Sequence, residues 1–141
     1  MNAFERILVA VDGSAHSDRA VSQARTLAEQ FGSTLFLVHA FPHTSDLIGY
    51  EEFEKRVARR ELAGQEVIDR ARDQLGPAGA RVEEELLEGP PAEAILAVAQ
   101  QRRADLIVMG SRGLGDFEGL VLGSVSHKVI HSAACPVMVV R

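Results

Sequence analysis

The chain has 141 residues, of which 46% are hydrophobic, and a formal net charge of −5 at pH 7, a size and composition that predict one globular domain spanning residues 1–141. The acidic balance and the lack of a Lys/Arg cluster argue against nucleic acid as the main partner. The chain has no run of about 20 apolar residues and its N-terminus has no basic region, so we expect a cytoplasmic protein without a membrane anchor or signal peptide.

The predicted elements alternate between strands and helices. Strands apolar on both faces belong to a parallel sheet that helices cover on both sides. A weaker strand, Arg81 to Leu87, contains three consecutive glutamates and suits an edge of the sheet. The continuous apolar runs are Glu5 to Val11, Leu35 to Ala40, Leu106 to Met109 and Val137 to Val140.

Four segments between these strands have helical character. The first has apolar residues at helical spacing between Ser14, an expected N-cap, and Gly32, an expected stop. The others are Tyr50 to Leu75, the segment after Pro91, and Gly123 to Ala133. Five strands and four helices in this alternation predict an open, doubly wound α/β domain with helices on both faces, although the sequence leaves the strand order open.

A glycine-framed stretch separates the fourth strand from the last helix. Glycine lets the backbone approach a ligand closely, and the first amides of a helix lack intrahelical acceptors, so Gly123 and Ser124 suit phosphate binding. Arg112 adds a cation inside this frame. The alternatives are a mobile glycine-rich linker, an ordinary N-cap at Ser124 and a solvated Arg112.

Other chemistries find little support in the sequence. No P-loop, dinucleotide fingerprint or nucleophile elbow is present. His127 and His131 would share a helix face, but a zincin's other residues are missing, so a solvated face is favoured. Cys135 is the only cysteine, which excludes an internal disulfide, and it fits a buried, inert thiol. His39 and His43 flank the end of a strand and fit histidines at the edge of a crevice or in a loop.

Four sequence blocks together resemble the universal stress protein family. They are Ile7 to Ser14, Leu37 to Ala40, Gly89 to Pro91, and the stretch Gly110-x2-Gly113-x9-Gly123-Ser124 with its flanking strands. The resemblance implies strand order 3-2-1-4-5 and membership of the ATP-binding branch. It also implies dimerisation through the last strand, Pro136 to Arg141.

The same resemblance implies a set of nucleotide-binding residues. Adenine would contact the ends of the first two strands, and Met109 would line the floor. Asp12 has two interpretations: it caps the turn before the first helix, or it binds ribose hydroxyls or the Mg²⁺ that accompanies ATP. The residues implied to bind the cofactor are Ala10, Val11, Asp12, Ala40, Met109, Gly110, Arg112, Gly113, Gly123, Ser124 and Val125.

The chain departs from the family pattern at Asp116 and Glu118. The resemblance places both acidic residues on the loop over the phosphates, where repulsion would lower ATP affinity unless the two side chains point into solvent.

The function implied is that of a cytoplasmic ATP-binding protein acting in stress adaptation as a nucleotide-responsive homodimer. Slow ATP hydrolysis is an alternative, although no general base is evident in the sequence. A dimer that binds no nucleotide and acts through protein partners is the second alternative. The stress signal and the downstream partner are not encoded in any recognisable motif.

Overall fold

The computed structural model describes residues 3–43, 49–77, 81–114, 116, 119 and 121–141. It contains a five-stranded parallel sheet with the order β3-β2-β1-β4-β5, as the resemblance implied. The strands are β1 (Arg6–Ala10), β2 (Thr34–Phe41), β3 (Arg81–Glu88), β4 (Leu106–Gly110) and β5 (Val137–Val140). The predicted strand ends differ from these by one or two residues at most.

Four helices connect the strands. They are α1 (Ala15–Phe31), α2 (Tyr50–Leu75), α3 (Pro91–Gln101) and α4 (Ser124–Ser132). Ser14 caps α1 by accepting a hydrogen bond from the amide of Ser17, and Gly32 ends the helix in the left-handed region at φ 69°. The start and stop predicted for α1 are therefore confirmed.

Strands β1, β2 and β4 bury side chains on both faces of the sheet, which explains their continuous apolar runs. Along β1, Ile7 and Val9 pack on the side covered by α1 and α2. Leu8 packs on the opposite side, against α3 and α4. A slip of one residue in the register of β1 would exchange these two faces.

Strand β3 lies at one edge of the sheet, as predicted, and its glutamates have basic partners. Glu84 forms an ion pair with Arg72 of α2. Glu85 accepts hydrogen bonds of 2.5 and 3.0 Å from Arg102, at the end of α3. The hydrogen bond with Glu85 is the main reason that the pKa of Arg102 is raised. Charged residues are thus tolerated in this strand because the adjoining helices present arginines.

Among the helices described, none is long and apolar enough to cross a membrane.

Candidate functional site

A cleft lies at the carboxyl ends of β1 and β4, where the strand order reverses. These strands are parallel neighbours, with Val9 paired to Val108, and the chain leaves them toward opposite halves of the sheet. Such a reversal opens a crevice above the strand ends. The cleft has a volume of about 670 Å³, within the range of small-molecule sites.

All eleven residues predicted to bind a cofactor line this single cleft. Residues more than a hundred positions apart in the chain therefore meet at one place. They are Ala10, Val11, Asp12, Ala40, Met109, Gly110, Arg112, Gly113, Gly123, Ser124 and Val125.

One side of the cleft is apolar. Ala10 and Met109 contribute from the adjacent ends of β1 and β4, and Ala40 contributes from β2. Val38 and Ile95, which the sequence analysis did not select, complete this side. Both are buried core residues whose apolar character gave no signal of a role at a ligand site.

Asp12 organises the turn after β1 and connects it to the glycine loop. Its Oδ1 accepts from the amide of Ser14 at 2.8 Å, and its Oδ2 accepts from the amide of Leu114 at 3.2 Å. Its own amide donates to Ser17 Oγ at 3.1 Å. The turn-capping interpretation of Asp12 is therefore correct. Its carboxylate also borders the cleft, so a ligand role is compatible with this geometry.

His16, near the start of α1, contacts the end of β4 and was not identified from the sequence. Its Nε2 lies 2.9 Å from Arg112 NH2, and its Nδ1 lies 3.0 Å from Ser111 Oγ. Because a guanidinium only donates, Nε2 accepts, and the neutral ring then donates from Nδ1 to the serine. Gly110 permits this approach, since a Cβ there would lie 2.7 Å from His16 Cβ.

The N-terminus of α4 forms another side of the cleft. Gly123 is the N-cap and Ser124 is the first residue of the helix, so the alternative in which Ser124 is an ordinary N-cap is wrong. The Gly123 amide donates to the Ser111 carbonyl at 2.6 Å, and the buried Ser126 hydroxyl donates to the same oxygen at 2.8 Å. These bonds anchor the helix start to β4, and the first-turn amides of Ser124 and Val125 have no intrahelical acceptors.

Asp116 lines the cleft and is half-buried. Its Oδ2 accepts a hydrogen bond of 2.7 Å from the amide of Gly113. A Cβ added at Gly123 would collide with the same oxygen, so the carboxylate lies directly against the start of α4. The second acidic residue of the predicted departure, Glu118, lies outside the described residues.

The opposite rim is formed by the ends of β2 and β3. His39 lines the cleft, and its Nδ1 lies 2.7 Å from the Val11 carbonyl. His43 contacts Glu88 at 2.8 Å. Arg60 of α2 donates to the carbonyl oxygens of Pro42 and His43 and holds this rim in place. Both histidines therefore have structural partners: His39 lies within β2 at the edge of the cleft, and His43 lies in the loop after that strand.

The remaining candidates from the sequence are two histidines and a cysteine. His127 and His131 border a second cavity along α4, which shares Asp116, Gly123 and Ser124 with the cleft. Within the described ranges, no group of three or more His, Cys, Asp or Glu side chains could hold a metal ion. Cys135 is partly buried before β5, and this burial raises the pKa of its thiol, which disfavours the reactive thiolate.

Solved structures of similar proteins have the same fold as this chain. A universal stress protein in complex with cAMP is 28% identical, with a TM-score of 0.78, and the match covers 99% of this chain and 98% of the other. A universal stress protein from Archaeoglobus fulgidus in complex with dAMP is 26% identical, with a TM-score of 0.71 and 99% coverage of both chains.

Comparison of sequences is equally extensive. A universal stress protein of Thermus aquaticus is 44% identical over 138 residues, which cover 98% of this chain and 99% of the relative. The model of the universal stress protein family matches residues 3–141. This chain therefore belongs to the universal stress protein family.

Proposed function

We propose that this chain binds an adenine nucleotide, which the family resemblance implies to be ATP with Mg²⁺. In this proposal the chain acts in the cytoplasm as a nucleotide-responsive homodimer. The observation that carries the proposal is the convergence of all eleven predicted residues on one cleft. Two structural neighbours were solved in complex with cAMP and with dAMP, which supports an adenine nucleotide as the class of ligand.

The cleft offers separate surfaces for the parts of a nucleotide. Adenine suits the apolar side formed by Ala10, Ala40 and Met109, because a planar aromatic base gains most from burial against apolar groups. The phosphates suit the opposite side, where the start of α4 presents amides with a partial positive charge. Asp12 lies between these sides and would accept from ribose hydroxyls or bind the Mg²⁺ of a metal–nucleotide complex.

The first test is binding itself. Purified protein is heated and the supernatant analysed for released nucleotide, and thermal unfolding is followed with AMP, ADP and ATP, each with and without Mg²⁺. A ligand at about 100 times its Kd adds roughly 2.7 kcal/mol to the free energy of unfolding and raises Tm by several degrees. The proposal fails if Tm is unchanged in millimolar adenine nucleotides.

The helix-start contribution can be tested with a pair of substitutions at Ser124. Proline is tolerated at the first position of a helix, so Ser124→Pro removes one amide donor while preserving α4. Ser124→Ala removes the hydroxyl and keeps the amide. We expect Ser124→Pro to weaken AMP binding about tenfold, the loss of one hydrogen bond to a charged group. Adenosine should bind both variants as it binds the unaltered chain.

The same assays separate the alternatives. Sustained release of inorganic phosphate from ATP would favour the slow ATPase, whereas an absence of adenine ligands would favour the nucleotide-free dimer.

A further inference from the structure

Asp116, which lies between Gly113 and Gly123 in the sequence, places a carboxylate in the cleft. Asp116 Oδ2 accepts from the Gly113 amide at 2.7 Å, and the Asp116 amide donates weakly to the Gly113 carbonyl at 3.4 Å. The carboxylate also lies against Gly123, the N-cap of α4. One side chain therefore contacts both glycines that frame the loop.

A carboxylate at this position has the chemistry of a phosphate oxygen. Both are anionic acceptors that bind backbone amides and the positive end of a helix. The amide of Gly113 has a single hydrogen to donate, and Asp116 already accepts it. A ligand phosphate that approaches the Gly113 amide must therefore displace this carboxylate or bind beside it.

A second carboxylate increases the negative charge at the same point. A Cβ added at Gly113 would collide with Asp12 Oδ2 and would lie 3.9 Å from Asp116 Oδ2, so both carboxylates flank this residue. Asp12 is held by the amides of Ser14 and Leu114. Asp116 belongs to the loop and its carboxylate has one hydrogen bond to a described amide, so it is the group that a phosphate would displace.

We propose that Asp116 is a specificity-determining residue that competes with the ligand's phosphate for the Gly113 amide and the start of α4. The inference rests on the proposed function and deepens it. The competition lowers affinity for adenine nucleotides and leaves the affinity for adenosine unchanged, because adenosine has no phosphate. The cleft thus discriminates less between AMP and adenosine than its glycine frame alone indicates.

Two substitutions separate the charge of Asp116 from its occupancy of the amide. Asp116→Asn removes the charge and retains an oxygen acceptor, whereas Asp116→Ala removes both. Asp73→Asn, at an exposed position of α2 outside the cleft, changes the net charge equally and serves as the control. Adenosine and AMP are titrated by calorimetry into the unaltered chain and the three variants, with EDTA present so that no divalent cation bridges carboxylate and phosphate.

We expect Asp116→Ala to bind AMP about tenfold more tightly, the effect of releasing one charge-assisted hydrogen bond and one repulsion. Asp116→Asn should give part of this gain, and Asp73→Asn none. Adenosine affinity should be the same in all four proteins. A melting curve without ligand identifies any variant that fails to fold, and Asp116→Asn is nearly isosteric and tests the inference if the alanine variant does not fold.

The outcomes distinguish this inference from the proposed function. If AMP binds the unaltered chain and both Asp116 variants with equal affinity, or more weakly to the variants, the competition is refuted while nucleotide binding stands. If neither adenosine nor AMP binds any of the four proteins, the role given to Asp116 is refuted; if ATP with Mg²⁺ also leaves the Tm of the unaltered chain unchanged, the proposed function is wrong as well.

Discussion

Replacing Asp12 with alanine tests whether this carboxylate stabilises the fold as well as bordering the cleft. Its two oxygens accept from the amides of Ser14 and Leu114, which lie 2 and 102 residues further along the chain. The substitution removes both acceptors at a part-buried position. It therefore loosens the turn before α1 and releases the glycine loop from β1.

The expected loss follows from these two hydrogen bonds. The bond from the Ser14 amide is part-buried and contributes about 1 kcal/mol net, whereas the bond from the Leu114 amide is exposed and contributes about 0.5 kcal/mol, so Asp12→Ala should lower the free energy of unfolding by about 1.5 kcal/mol. With an unfolding entropy of about 2.1 cal/mol/K per residue, or about 300 cal/mol/K for 141 residues, Tm falls by about 5 °C. Asp12→Asn retains one acceptor, for the Ser14 amide, and should lose about a third as much.

The assay is thermal unfolding without ligand, followed by circular dichroism, with Asp73→Ala as the control at an exposed position of α2. Titration of the same proteins with AMP then measures the ligand role separately. A change of 1 kcal/mol in the free energy of unfolding shifts Tm by about 3 °C in a domain of this size. If the Tm of Asp12→Ala lies within about 1 °C of that of the unaltered chain, the claim that these hydrogen bonds stabilise the fold is refuted. Unchanged AMP affinity would instead refute a contact between Asp12 and the ribose hydroxyls.

Two further predictions concern the C-terminal segment. Burial raises the pKa of the Cys135 thiol. The rate at which a disulfide exchange reagent modifies this thiol should therefore have a higher pH midpoint in the native chain than in the chain unfolded in guanidinium. Equal midpoints would contradict this prediction. Because the native thiol binds its proton more tightly, its contribution to stability is complete below the unfolded pKa and is lost as pH rises through the folded pKa, a loss that Cys135→Ala should abolish. Strand β5 lies at the edge of the sheet, where it could pair with the same strand of a second copy. If it does, Val139→Lys should shift the sedimenting species from dimer to monomer, and Val139→Thr should not. An unaltered chain that sediments as a monomer at micromolar concentration would exclude this pairing.

The fold was largely predictable because the apolar runs in the sequence coincide with the buried strands of the structure. Residues of β1, β2 and β4 are buried on both faces, and this left continuous apolar runs in the sequence. The predicted bounds of α2, Tyr50 to Leu75, match the structure, since glycines adjoin both ends. The strand order came from the family resemblance, because hydrophobic periodicity contains no information on which strands are neighbours.

The site was predictable where its residues form a motif and not where they meet only in space. Gly110, Gly113 and Gly123 stand in a recognisable pattern with Arg112. His16 is separated from Ser111 by 95 residues, and only the close packing of α1 against the end of β4 brings them together. A histidine in the first turn of a helix has no sequence feature that distinguishes this position from a solvated one.

The sequence also could not decide where the acidic loop residues point. Charge alone favours solvent, because burying a carboxylate without a partner is unfavourable. Asp116 instead has a partner that exists only once the loop is folded, the amide of Gly113 three residues earlier. Its role depends on backbone geometry within the loop rather than on residue type.

Ligand binding at this cleft is therefore an exchange of partners on its polar side. Asp12 binds backbone amides, Arg112 contacts His16, and the Gly113 amide donates to Asp116. A phosphate or ribose group that takes one of these partners gains only the difference between the new hydrogen bond and the one it replaces. The apolar side has no such competitor, since its gain comes from removing surface from water. We therefore expect the base to contribute most of the binding free energy. Competition with the Asp116 carboxylate reduces the contribution of the phosphates.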